Sequence, residues 1–181
     1  MPRYTPKIFL AFVLLLCGGA SWRASAQEVA AGPEVVSGSL QELNGRRNVM
    51  LVVTRPATVD ASEPGKGVIE AALNTNFRQS RRFSGTFNVL ARKLNGYMKK
   101  HRSITAVEQP SNADFVVVFN LLEYRRSLGS YYPHGELYVI LNRARQPETA
   151  PRIIWKSRKV MWAEDAVNEL IKALKAARGE K

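Results

Sequence analysis

Two rhythms of apolar residues run along this chain, one helical and one extended, and the change between them marks the elements. Asn48–Thr54 (NVMLVVT) is a continuous apolar run rich in β-branched residues, which predicts a strand covered on both faces. Before it, Ser39-Leu-Gln-Glu-Leu43 predicts one helical turn, with Ser39 as cap and Glu42 three residues on completing a capping box, and Asn44-Gly45 ends that turn. After a loop reaching Gly67, the period becomes helical. Val68, Ile69, Ala72 and Leu73 share one face leading to Phe77. The segment Ser80–Ser84 (SRRFS) interrupts, and Ser84 is placed to cap a second helix. Its stripe is Phe87, Leu90, Ala91, Leu94, Tyr97 and Met98. Lys99, Lys100, His101 and Arg102 close that helix, where positive charge meets the negative end of the helix dipole.

The second half is mostly extended. Ile104–Glu108 predicts a short strand and Asp114–Tyr124 (DFVVVFNLLEY) the strongest one, apolar on both faces and therefore central. Gly135–Asn142 and Arg152–Val160 alternate as half-exposed antiparallel strands do, with Gln146-Pro147-Glu148-Thr149 as the turn between them. Ala163–Arg178 closes the chain as an amphipathic helix, burying Ala163, Ala166, Val167, Leu170, Ile171 and Leu174. The expected fold is α+β: a mainly antiparallel sheet of four to five strands with helices packed on one face, in the order β-α-α-β-β-β-β-α.

Composition changes the picture at the amino terminus. Arg3 and Lys7 precede the apolar run Ile8–Leu16, and Ala24-Ser25-Ala26 follows. A basic start, a short apolar core and a small-x-small ending predict a secretory signal peptide over 1–26, cut after Ala26. The run is shorter than the about 20 residues a spanning helix needs. Residues 27–38 read as a flexible leader and 39–181 as a single α+β domain. The expected location is outside the cytosol, in the periplasm. Cys17, the only cysteine, offers an alternative: acylation there would leave a lipid-anchored protein, although Leu16 stands where a small residue usually precedes such a cysteine. A chain starting at Gln27 has no thiol, which excludes disulfides, thiolate metal sites and cysteine nucleophiles.

Charge narrows the partners. The signal segment holds Arg3, Lys7 and Arg23 and no acid, so the chain from Gln27 keeps +9 of the full +12. A basic exported protein is drawn to an acidic envelope protein, an anionic polymer or an anionic lipid surface, while nucleic acid is disfavoured by location. Net charge of this size also serves solubility alone.

Catalytic patterns are sparse. The two histidines, His101 and His134, lack partners at metal-ligand spacing, so no metal site is expected. No Gly-x-Ser-x-Gly elbow occurs. Gly65-Lys66-Gly67 lacks the rest of a phosphate-binding loop and reads as a flexible turn before a helix. Glu164-Asp165 is accounted for by the helix start it occupies. No catalytic residue and no cofactor site is assigned. Basic and aromatic residues do interleave, at Arg78, Arg81, Arg82 and Phe83 and again at Tyr124, Arg125 and Arg126, followed by Tyr131 and Tyr132. Such mixtures form recognition surfaces, and they also arise where arginine packs on core-edge aromatics. The segment 125–134 (RRSLGSYYPH) reads as an exposed loop joining two strands, so Arg125, Arg126, Tyr131 and Tyr132 are the candidate binding surface.

The phrases Asn112–Phe119 (NADFVVVF), Glu136–Leu141 (ELYVIL), Ile153–Ser157 (IIWKS) and the closing helix 166–176 together resemble small bacterial envelope domains: the amino-terminal domain of TolB and the curli-secretion lipoprotein domain. The resemblance covers about residues 48–177 in order of elements. It implies an α+β envelope domain. Its motifs describe packing, so it carries over no site residue, and pore formation is not implied. The resulting expectation is an exported cell-envelope binding or accessory protein without catalytic activity. The alternatives are an exported hydrolase whose site is not readable from sequence, or a basic protein docking on anionic membrane or cell-wall polymer. The oligomeric state is left open.

Overall fold

A computed structural model describes residues 36–55, 64–75, 80–142 and 150–181, all within the unit Pro33–Lys181. The signal segment, most of the leader, Phe77, Arg78 and the turn at 146–149 lie outside the described residues.

Six strands form one sheet: β1 (Asn48–Thr54), β2 (Thr105–Ala106), β3 (Phe115–Ser127), β4 (Ser130–Leu141), β5 (Arg152–Lys156) and β6 (Met161–Trp162). The lateral order is β2-β1-β3-β4-β5, with β6 pairing a second stretch of β4. The α+β class is as expected, but the sheet is mixed rather than mainly antiparallel. β1 runs parallel to both neighbours, with Val49 opposite Phe115 and Thr54 opposite Asn120, whereas β3, β4 and β5 are antiparallel in turn. Asp114 sets this register by accepting hydrogen bonds from the backbone N–H groups of Arg47 (3.0 Å) and Asn48 (2.9 Å) at the start of β1.

The helices lie on both faces, not one. α2 (Ser84–His101) and α3 (Ala163–Arg178) cover the face of Val49, Val53, Phe115, Val117, Phe119, Leu137 and Val139. α1 (Pro64–Asn74) sets Val68 and Ala72 against the opposite face, with Met50, Val52, Val116, Val118, Ile140 and Ile153. This explains the apolar runs on both sides of β1 and β3, since a strand between two layers has no wet face. β4 is likewise buried on both faces over Leu137–Leu141, and the half-exposed reading fails there. Phe115 and Phe119 are wholly buried, each contributing roughly 2–3 kcal/mol by removal from water.

Local signals fared unevenly. The Ser39–Glu42 capping box forms around a 3₁₀ turn at Leu40–Leu43. The α2 stripe is buried as spaced, and Arg102 ends the helix in the left-handed region, its N–H donating to the Met98 carbonyl. Ser84, however, is the first residue of α2, and the cap position falls to Phe83 without a side-chain hydrogen bond. Gly65-Lys66-Gly67 is not a turn before a helix but the first turn of α1 itself.

The largest departure is the segment 125–134. It is not a loop. β3 and β4 stay paired to Ser127 and Ser130, and a two-residue turn, Leu128-Gly129, connects them. Both turn residues have positive φ, +47° and +81°, which gives the twist that a tight hairpin requires.

Candidate functional site

The hairpin β3–β4 has two halves. Its base lies in the sheet between β1 and β5. The register shifts between Leu121 and Glu123, a bulge that bends β3, and beyond it the ribbon leaves the core. Gly135 makes the crossing possible, because a Cβ there would lie 2.1 Å from the Asn120 carbonyl oxygen. β1 ends opposite Asn120 and β5 ends opposite Tyr138, so neither flanks the outer pairs. Those five pairs, Glu123–His134 to Ser127–Ser130, make an arm about 17 Å long at roughly 3.4 Å per residue.

The arm is braced at its root and free at its end. β6 pairs with β4 at His134 and Gly135. The Trp162 ring packs edge-on to Tyr132 at 5.9 Å and to His134 at 5.0 Å between centroids. The Tyr124 hydroxyl lies 3.4 Å from the Thr86 hydroxyl on α2. Towards the tip these contacts stop. Tyr131 is 69% exposed and Leu128 99%, while a Cβ on Gly129 would meet nothing within 4 Å. Leucine is a poor residue for this position twice over: it presents its whole side chain to water, and its φ of +47° carries a steric cost that asparagine or glycine largely avoids.

All four sequence-predicted residues lie on this arm, in two cross-strand pairs. Arg125 is opposite Tyr132, and Arg126 is opposite Tyr131. Facing pairs share a side of the ribbon and successive pairs alternate, so of these four each side carries one arginine and one tyrosine, with Tyr124 joining the Arg126–Tyr131 side. The two arginines differ. Arg125 donates from Nε to Glu123 Oε1 at 2.5 Å, whereas Arg126 forms no ion pair among the described residues. Reading 125–134 as a loop left out Leu122, Tyr124 and Leu128, all at least 41% exposed and all part of the same surface. Leu128-Gly129, flanked by a strand on one side and an aromatic pair on the other, was the available signal.

A cleft of about 470 Å³ opens beside the arm, lined by Val89 and Arg92 of α2, Leu128, Tyr132 and Pro133 of the arm, and Trp162 to Asp165 at the start of α3. Glu164 bonds to Lys93 at 2.7 Å, and that hydrogen bond, with the lysine's charge, lowers its carboxyl below the usual range. His134 has its Nδ1 3.5 Å from Glu123 Oε1, without a hydrogen bond among the described residues. His101 sits far along the chain at the end of α2, with Nδ1 3.4 Å from Glu180. Tyr97 also donates to Glu180, at 2.5 Å, and burial first, then that carboxylate, pushes its phenol up to about 12. Among the described residues, neither histidine has a serine hydroxyl among its hydrogen-bond partners. No cluster that could hold a metal ion occurs among the described residues. The other basic–aromatic stretch is structural in part: the Arg55 guanidinium lies 5.6 Å above the Phe83 ring.

No protein family matches the chain, and no curated protein matches it. Among solved structures, it is similar to the PelC dodecamer from Paraburkholderia phytofirmans, with 11% identity over 83% of this chain and 94% of that one, at a TM-score of 0.35. A leucine-to-methionine variant of that PelC gives 12% identity over 81% and 90%, at the same TM-score. Among the described residues, no helix is long and apolar enough to cross a membrane.

Proposed function

We propose that this chain is an exported cell-envelope binding or accessory protein that acts by recognition through the β3–β4 arm rather than by catalysis. One observation carries the reading. A hairpin braced at its root ends in a leucine 99% exposed and a tyrosine 69% exposed, with two arginines between the bulge and the turn. Isolated exposed apolar residues are ordinary, but a contiguous set on a projecting element marks an interaction site. The basic-start, apolar-core pattern of residues 1–26 supports export, and the +9 charge from Gln27 onward supports an anionic partner.

Two measurements test this. Intact mass with cell fractionation reads the export step: a species starting at Gln27 in the periplasm is expected, and an acylated species starting at Cys17 would replace it with a lipid-anchored protein. A photo-crosslinking residue at Tyr131 reads the binding step in the native host. A discrete adduct formed at Tyr131, and not at exposed Lys172 on α3, is expected.

A further inference from the structure

Resting on the reading of the arm as the binding surface, we infer that its partner is an anionic lipid bilayer, which the hairpin tip enters to the depth of the headgroups. The arrangement of the side chains favours a bilayer over a protein. A protein partner meets one side of a ribbon, but this ribbon carries Arg126 and Tyr131 on one side, Arg125 and Tyr132 on the other, the latter pair in part engaged by Glu123 and Trp162, and its most exposed apolar residue at the apex. A medium that surrounds the tip satisfies all of them at once.

The layers along the arm also follow the layers of a membrane interface. Leu128 is outermost. Tyr131 and Arg126 lie two residues behind the turn, about 7 Å back, and Tyr132 and Arg125 one residue further. Interfacial elements bury their apolar side roughly 5–10 Å into the boundary between headgroups and acyl chains. At that depth Leu128 reaches acyl chains, the tyrosines sit where amphipathic rings favour the headgroup level, and the arginines face lipid phosphates. Between Tyr124 and Pro133 the arm has two arginines and no carboxylate; Glu164 and Asp165 line the cleft beside Leu128, with Glu164 held by Lys93. The arm does not span: its strands extend five residues past the bulge, against the roughly 9–11 that a spanning strand needs. A leucine held at positive φ in full solvent is unfavourable for folding alone, and burial in lipid supplies the compensation.

The test is co-sedimentation of the protein, purified from cells expressing the full chain, with vesicles of equimolar phosphatidylglycerol and phosphatidylethanolamine, and with phosphatidylcholine vesicles. Binding to the anionic vesicles alone is expected. Leu128→Asn keeps the turn and should lower the partition coefficient about tenfold or more. Arg126→Ala should lower it about fivefold, and Arg125→Ala less, because Glu123 already holds that guanidinium. An environment-sensitive dye on Leu128→Cys should shift to the blue on binding. Absence of binding by the parent protein overturns the inference, and so does binding that Leu128→Asn leaves unchanged. The Tyr131 crosslink separates the two levels. If vesicles are ignored but Leu128→Asn removes an adduct to a protein, or to a second copy of this chain, the lipid inference fails and the arm remains the binding surface. If neither vesicle binding nor the adduct depends on the arm, both readings fail.

Discussion

The two halves of the β3–β4 hairpin share strands, pairing and connection, yet differ in almost every other respect. From Phe115 to Leu121 every residue of β3 is buried, and the partner residues Leu137–Leu141 are buried too. From Leu122 to Arg126 every residue is exposed, opposite Tyr131 and Tyr132, which are also exposed. Composition separates the halves only in part: both hold aromatic and branched side chains, but the charged residues of β3, Glu123, Arg125 and Arg126, all lie beyond Leu121. What separates them is the bulge at Leu121–Glu123 and the ends of β1 and β5. The base earns its order from the layers around it, and the arm keeps its order through backbone pairing and a few root contacts. Residues in the base therefore report on stability and, on the function proposed above, residues in the arm on binding.

Substitutions sharpen that division. Phe119→Ala, at the centre of the base, should destabilise the protein by about 3–5 kcal/mol in urea unfolding, whereas Tyr131→Ala should stay within about 0.5 kcal/mol. Equal losses would break the comparison. At the junction, Gly135→Ala forces a methyl against the Asn120 carbonyl and should cost about 1–3 kcal/mol, because backbone rather than a flexible side chain must move. Alkaline titration probes the packed side away from the arm. Tyr97 is raised from 10.0 to about 12, so the folded form holds its proton where the unfolded form has lost it. That contribution is complete below pH 10 and is lost as pH rises through about 12. Unfolding midpoints should fall across that window, and Tyr97→Phe should flatten the fall. The smallest effect belongs to the tip. Leu128→Asn should stabilise the fold by about 1 kcal/mol, read as a higher melting temperature, by relieving the left-handed leucine. A variant that gains stability while losing binding would draw the division in its clearest form.

The same division explains what could be read from the sequence. β1, the buried part of β3, the α2 stripe and the Ser39 cap were legible because each depends on neighbours within a few positions or on burial that leaves an apolar pattern. The pairing of Val49 with Phe115 was not, since nothing local specifies a parallel partner so far along the chain. The place of α1 was partly legible: a β1 apolar on both faces needs a layer on each side, which contradicts helices on one face only. The arm was misread because exposed strands lack alternation and because Leu-Gly is not among the strong hairpin signals. Its four candidate residues were still found, from their chemistry. Leu128 was missed because an apolar residue carries no chemical flag, and only its exposure and φ give it meaning.

The parallel pairing of β1 also bears on the order of events in folding. β1 meets β3 across sixty-six positions, so during synthesis it is made long before its partner exists. At roughly 5–20 residues per second, that interval is about 3–13 s. The β3–β4 hairpin, by contrast, closes over a two-residue turn and can form within microseconds once its strands are available. The later-made hairpin can thus organise on its own pairing, while β1 has to wait for β3 before it can join the sheet. A chain with this order completes its sheet only after most of it has been made, an order compatible with the export proposed above.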